Sequence, residues 1–252
     1  MGDSGLAAIE ALVPALRDEY AVDLVVANGE NAASGFGIIE ENYKRIRAAR
    51  VDVVTSGNHV WEKRDFMPLL DSEERVLRPA NYPKEAPGHG VVSFEQVSCR
   101  WTVINVQGRE FMTPLDSPFA VMDALIEEYG PCGPAHFILV DFHAESTQEK
   151  EALAFYIDGR VSALVGTHTH VATSDGRILP AGSGYQTDIG MSGVQSGVIG
   201  MEPVVCLERM RTQVMHRMNC LEGEGTVNGA LFDLDSETGR CTGHQRIQRS
   251  AN

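Results

Sequence analysis

The sequence predicts an α/β fold, from three observations. Short runs rich in Val and Ile alternate with helix-like segments along most of the chain. Each run closes on Gly, Asn, Asp or Thr, the residues that end strands and open turns. The 252 residues are 43% hydrophobic and 22% charged, enough to bury a sizeable core as one unit spanning 1–252.

Taken in order, Leu6–Tyr20 opens the chain as a helix. Leu6, Ile9, Leu12, Val13 and Leu16 follow a helical period, and Pro14 is expected to kink or restart it. The expected strands are Asp23–Ala27, Val51–Thr55, Trp101–Val106, Phe137–Asp141 and Val161–Val165. Between them Glu40–Arg50, Pro118–Tyr129 and Gln148–Asp158 read as helices, and the tail from Thr226 reads as β-rich. A domain of this type usually begins with a strand. Opening on a helix suggests either a fold that starts that way or a first strand absent from the sequence.

Composition excludes several functions. No apolar run approaches the roughly 20 residues of a membrane span. The N-terminus has neither the basic nor the apolar region of a signal peptide. The balance of 21 basic against 35 acidic residues, net −14, does not suit duplex nucleic acid, whose binders contact phosphates with Lys and Arg. A small anionic substrate fits if something local and positive receives it. The five cysteines are scattered and form no C-x-x-C pair, as expected of reduced thiols in a cytoplasm. A symmetric homo-oligomer is expected on general grounds alone.

The polar residues gather at strand ends. Asn28-Gly29-Glu30-Asn31, Gly57-Asn58-His59, Asp141-Phe142-His143-Ala144-Glu145 and Gly166-Thr167-His168-Thr169-His170 each follow a strand candidate. Ligands of open α/β sheets bind beyond the carboxyl ends of the strands. Four such ends would therefore assemble one site. Imidazole, carboxylate and amide oxygen are ligands of divalent Mn, Fe, Zn or Co. Polar loop ends that merely satisfy their own backbone would be rich in Asn and Asp, but would not bring four histidines. Glu30, Asn31, Asn58, His143, His168 and His170 exceed the three protein ligands usual at a catalytic zinc. Two ions are therefore expected, with Glu30 able to bridge them, and a paired centre can clamp both oxygens of a phosphoryl displacement. Such a centre also supplies the positive charge that the acidic chain otherwise lacks.

These motifs resemble the calcineurin-like metallophosphoesterases, through Gly57-Asn58-His59 and Gly166-Thr167-His168-Thr169-His170. Asn28–Ala33, Ser56–Trp61, Arg78–Pro83, Asp141–Glu145 and Tyr185–Met191 narrow the resemblance to the bacterial YmdB-type family, over essentially the whole chain. The resemblance implies a four-layer α-β-β-α sandwich. It also implies a phosphodiesterase acting on small nucleotide diesters such as 2′,3′-cyclic nucleotides. The implied cofactor is two divalent ions: iron first, manganese next, with zinc, cobalt or magnesium able to substitute. By position Glu30 corresponds to the bridging carboxylate, Asn58, His143 and His168 to ligands of one metal, and Asn31 and His170 to ligands of the other. His59 corresponds to the proton donor.

The group's sequences open with a strand ending in Gly-Asp, whose Asp ligates metal, shortly before a Gly-x-x-Gly turn. Gly2-Asp3-Ser4-Gly5 aligns with that turn, so the sandwich is expected to lack its first strand and one charged ligand. Asp3 reads as a turn or helix N-cap residue rather than a replacement. The expected mechanism is attack of a metal-bound hydroxide on phosphorus, with Asn58 positioning the phosphate and His59 protonating the leaving oxygen. Arg109 is a candidate phosphate contact against an ordinary ion pair, Asp188 a candidate partner for a ligating His against turn chemistry, and Glu145 a candidate second support or helix N-terminal acid. Trp61 reads as core, or as a flank for the nucleotide. Competing readings are an amidohydrolase-type barrel, a phosphomonoesterase on the same fold, and a non-catalytic homologue. The barrel would place His-x-His on its first strand and needs eight strand–helix units, neither of which is visible.

Overall fold

The computed structural model describes residues 1–250. α1 (Gly2–Glu19) opens the chain and leads to β1 (Val26–Asn28), α2 (Glu40–Ala48) and β2 (Val53–Thr55). β1 and β2 form a parallel pair, with Val26 opposite Val53 and Asn28 opposite Thr55. A short 3-10 turn and α3 (Met67–Ser72) follow. β3 (Val91–Gln96), β4 (Cys99–Gln107), α4 (Pro118–Tyr129), β5 (His136–His143), α5 (Thr147–Tyr156), β6 (Ala163–Thr167), β7 (Arg177–Ile178) and β8 (Gly184–Gln186) complete a six-stranded sheet in the order β3-β4-β5-β6-β8-β7. After α6 (Pro203–Thr212), β9 (Thr226–Leu234) and β10 (Cys241–Ser250) close the described chain as an antiparallel ribbon.

Alternation along the strands decides the packing. In β5, Ile138, Val140 and Phe142 point one way, onto Met122 and Ile126 of α4 and Leu153 of α5, in the largest apolar cluster. Phe137 points the other way and packs with Trp101 and Val103 of β4 against Val53 of β2. A third cluster lies beyond the β1–β2 pair, where Leu6 and Val13 of α1 meet Tyr43 and Ile46 of α2 and Val54 of β2. The big sheet is thus buried on one face by α4 and α5, and part of its other face packs against β2.

The expected strands and helices all form, with ends shifted by up to four residues. β1 begins at Val26 rather than Asp23, and β4 extends to Gln107. Pro14 does not restart the first helix; α1 runs through it, held in line by Leu6 and Val13 packed on the same cluster. Asp3 is not the N-cap, which is Met1; it sits in the first turn and pairs with Arg45 at 3.2 Å. Among the described residues no helix is long and apolar enough to cross a membrane.

Candidate metal centre

The parallel strands bring their carboxyl ends to one edge. β5 ends on His143, and β6 ends on Thr167, immediately before His168 and His170. β1 and β2 end at the same level, with Glu30-Asn31 and Asn58-His59 in the turns that follow. Gly29 N donates to Thr55 O at 2.9 Å, which ties the two turns together. Asn28 reinforces them by donating to Ser56 O and Asp141 Oδ2 while its own oxygen accepts from Glu30 N.

His143 is the hub. Its Nε2 lies 3.0 Å from Glu30 Oε2, 2.9 Å from Asn58 Oδ1 and 3.0 Å from His168 Nδ1. Its other nitrogen, Nδ1, is 3.0 Å from Thr167 Oγ1. That hydroxyl donates its one proton to Asp141 Oδ1 at 2.7 Å, so it accepts from His143 and fixes the proton on Nδ1. The neutral ring therefore turns a lone pair toward three further lone-pair atoms. Such convergence is stable only around a positive charge, either a proton or a metal ion. Asp141 is itself buried, which pushes its carboxyl up, against the downward pull of His143 and its hydroxyl donors.

The electrostatics agree. Burial works against charging Glu30, yet His143 and the His59 amide, which donates to Oε1 at 2.7 Å, hold its carboxyl down at about 2. Burial lowers His143, but Glu30 and Asp141 outweigh it and raise the imidazole. His168 is drawn down to about 4 by burial and by His143, so it stays neutral, and its Nε2 faces Glu145 Oε2 at 3.1 Å. A carboxylate on the far nitrogen is the arrangement that orients a metal-ligating imidazole. Here Glu145 fills it, not Asp188.

Asn31 and His170 form a second, adjacent group. His170 Nδ1 donates to Ile199 O at 3.2 Å, so its Nε2 carries no proton and accepts from Asn31 Nδ2 at 3.0 Å. Burial keeps His170 below its ordinary value. The Asn31 oxygen is buried without a hydrogen-bond partner. An orphaned amide oxygen next to an unprotonated imidazole nitrogen fits a cation. Among the described residues no three His, Cys, Asp or Glu side chains alone make a metal group. The converging sets here are completed by the amides of Asn58 and Asn31.

Local backbone is bent to build this edge. His168 and His170 hold φ of 100° and 66°, a region that side chains other than glycine seldom adopt. Asp188 secures the bend, accepting from Thr169 N, Thr169 Oγ1 and Gly190 N while paired with buried Lys150 at 2.8 Å. Gly57 has no room for a side chain, since a Cβ there would stand 2.2 Å from His143 Nε2.

His59 lies at the rim with its side chain 28% exposed, its Nδ1 3.2 Å from Glu62 and its ring edge-on to Phe36. Trp61 is half-buried against Tyr82, with ring centroids 4.5 Å apart, in keeping with a packing role. Arg109 is not drawn into the cluster. Its exposed loop is anchored through its backbone N, which donates to Glu149 at 3.0 Å. Thr167 stands within the Gly166–His170 motif but has no role legible from sequence, and the Lys150–Asp188 pair, 38 positions apart, left no sequence signal. Asp141 had one: period-2 alternation puts it on the face of His143.

The sequence matches the YmdB-like protein family across residues 1–247. The chain belongs to that family. It is 41% identical over 247 residues to the 2′,3′-cyclic-nucleotide 2′-phosphodiesterase of Bacillus subtilis, covering 98% of this chain and 93% of that one. A crystal structure of a hypothetical protein from Thermus thermophilus superposes with a TM-score of 0.92 at 41% identity, over 99% of this chain and 96% of that one. A crystal structure described as a novel phosphatase from Mycoplasma pneumoniae gives 0.92 at 30% identity, covering 99% and 90%. The mixed α/β fold is shared with both.

Proposed function

We propose that this phosphoesterase is a metal-dependent phosphodiesterase that hydrolyses small nucleotide diesters, 2′,3′-cyclic nucleotides foremost. The observation that carries the reading is the convergence of Glu30, Asn58 and His168 on the bare Nε2 of His143, with Asn31 and His170 beside it. The naming of the Bacillus relative supports the substrate class. The architecture is read as the four-layer α-β-β-α sandwich, since three apolar clusters separate four layers.

Two divalent ions fit the donor set, iron or manganese first. When bound they would lower the pKa of water and hold phosphoryl oxygens. Asn58, His143 and His168 would hold one, Asn31 and His170 the other, with Glu30 between. The protein's own groups do the rest. Thr167 and Glu145 fix which nitrogens of His143 and His168 stay bare. Glu62 accepts from His59 Nδ1, so Nε2 is left to hold and donate a proton to the departing ribose oxygen. Arg109, in the exposed loop after β4, is the candidate contact for a substrate phosphate. The five free cysteines support a reducing, cytoplasmic setting. The net charge of −14 argues against duplex partners.

The test is a substrate panel on manganese- or iron-loaded protein: 2′,3′-cyclic AMP, 3′,5′-cyclic AMP and p-nitrophenyl phosphate. Preferential opening of the 2′,3′-cyclic diester is expected. Turnover of the monoester alone would replace the reading with a phosphomonoesterase, which the description of the Mycoplasma structure favours.

A further inference from the structure

The carboxyl end of β4 carries a buried amide beside the candidate metal ligands. β4 and β5 run in parallel register, with Asn105 opposite Asp141 and Gln107 opposite His143. Ile104 and Val106 point to the α4–α5 cluster, so Asn105 and Gln107 point to the other face, toward the turns after β1 and β2. Asn105 marks the direction, since its Oδ1 accepts from Ser56 N at 3.1 Å. Gln107 stands two residues nearer the edge, level with the Gly57-Asn58-His59 turn that follows Ser56.

Gln107 is fixed at its backbone and at its oxygen. Asn81 clamps the backbone, its Oδ1 accepting from Gln107 N at 2.9 Å and its Nδ2 donating to Gln107 O at 2.8 Å. Tyr82 donates its hydroxyl to Gln107 Oε1 at 3.3 Å. Burial holds the Tyr82 phenol above its ordinary value, so the hydroxyl keeps that proton. Trp61, two positions after His59, packs edge-on to the Tyr82 ring. Gln107 is 0% exposed, and among the described residues its Nε2 has no hydrogen-bond partner. A buried N–H group that has lost water and gained nothing destabilises the fold, so an amide held this firmly with its donor unused calls for an acceptor. The surface is close by: Gly108 and Arg109 are exposed, and Tyr82 is half-buried.

We propose that Gln107 is a substrate-binding residue whose Nε2 donates to a phosphoryl oxygen of a phosphate ester held at the metal centre. The inference rests on the reading of this edge as a phosphate-ester site, and not on which ester is cleaved. Nε2 is a pure donor, so an oxygen suits it. A phosphoryl oxygen gains charge as the ester is cleaved, and a donor already fixed in place meets that charge without reorganising.

Two variants test the donor. Gln107→Glu keeps the side-chain length and the acceptor for Tyr82 but replaces the donor with an oxygen; Gln107→Met removes both. The probe is inorganic phosphate, titrated calorimetrically into manganese-loaded protein. Gln107→Met is expected to bind it about 10–100-fold more weakly than wild type, the worth of one hydrogen bond to a charged group. Gln107→Glu should bind it more weakly still. Ester turnover should fall by about 10²–10³-fold in both, chiefly in kcat. Manganese content and circular dichroism should match wild type, which a merely structural role would not allow. Tyr82→Phe, which loosens the amide without removing it, should act in the same direction but less. Phosphate affinity of Gln107→Met within a factor of two of wild type would overturn the proposal. So would loss of manganese from that variant, which would place Gln107 in the ion site itself. Wild-type protein that leaves the cyclic diester intact, while its phosphate affinity still depends on Gln107, would refute the diesterase reading and uphold this one.

Discussion

Nε2 of His143 and Nδ1 of His168 face each other at 3.0 Å, two nitrogens that cannot both remain bare. His168 is held neutral at about 4, so the contact is satisfied by a proton on His143 or by a metal. Proton and metal therefore compete for one point. As pH rises through the raised folded value of His143, the proton leaves and metal binding should tighten; below it, affinity should fall. Calorimetric titration of manganese in buffers of different ionisation enthalpy should report proton release on binding. Affinity independent of pH between 6 and 8 would refute the competition.

The metal-free protein carries the complementary signature. Glu30, depressed to about 2, stabilises the fold fully above its unfolded value near 4.3 and loses that contribution as pH falls toward 2. His143, raised, stabilises below about 6.5 and loses its contribution as pH rises through its folded value. Chelated protein should thus be relatively most stable in weak acid, and Glu30→Gln should flatten both flanks of the denaturation profile.

Thr167 controls His143 without touching the ion site. Thr167→Val keeps the shape but removes the hydroxyl that holds the proton on Nδ1. Metal affinity should drop by about 10–100-fold, the usual cost of losing such a support. Circular dichroism should stay unchanged. Affinity within a factor of two of wild type would show that the hydroxyl does not set the tautomer.

Metal binding and proton donation are expected to separate at His59. His59→Ala should retain the metal content of the wild type while turnover of the cyclic diester falls by about 10²–10⁴-fold. Elemental analysis and an initial-rate assay on one preparation decide it. Lost metal would reassign His59 to the ion site.

Lys150 and Asp188 are buried together, 0% and 1% exposed, behind the strained His168–His170 bend. Lys150→Met leaves a buried carboxylate alone and should cost about 3–5 kcal/mol in urea denaturation. Adding Asp188→Asn should recover part of that loss, because no unpaired charge then remains. A double variant less stable than the single would contradict this account.

The strand runs, the helices between them and the six candidate ligands were legible in the sequence. Hydrophobic period and turn residues are local properties, and Glu30, Asn31, Asn58, His143, His168 and His170 all stand directly after strand signals. Elsewhere local patterns left alternatives open. Pro14 lies within α1 without restarting it, because packing on the Leu6–Val13 face overrides the missing amide. Of the two readings of Asp188 the turn chemistry holds, since its carboxylate accepts from Thr169 and Gly190 and pairs with Lys150. What the sequence alone determined is the α/β class and the set of chemical donors, since both depend on residue type and short spacing. Only the tertiary structure decided which nitrogen of each histidine carries the proton and which carboxylate supports it. Those depend on contacts between residues far apart in sequence, such as Asn28 and Asp141, 113 positions apart, and Asn31 and His170, 139 apart, and no local pattern encodes them.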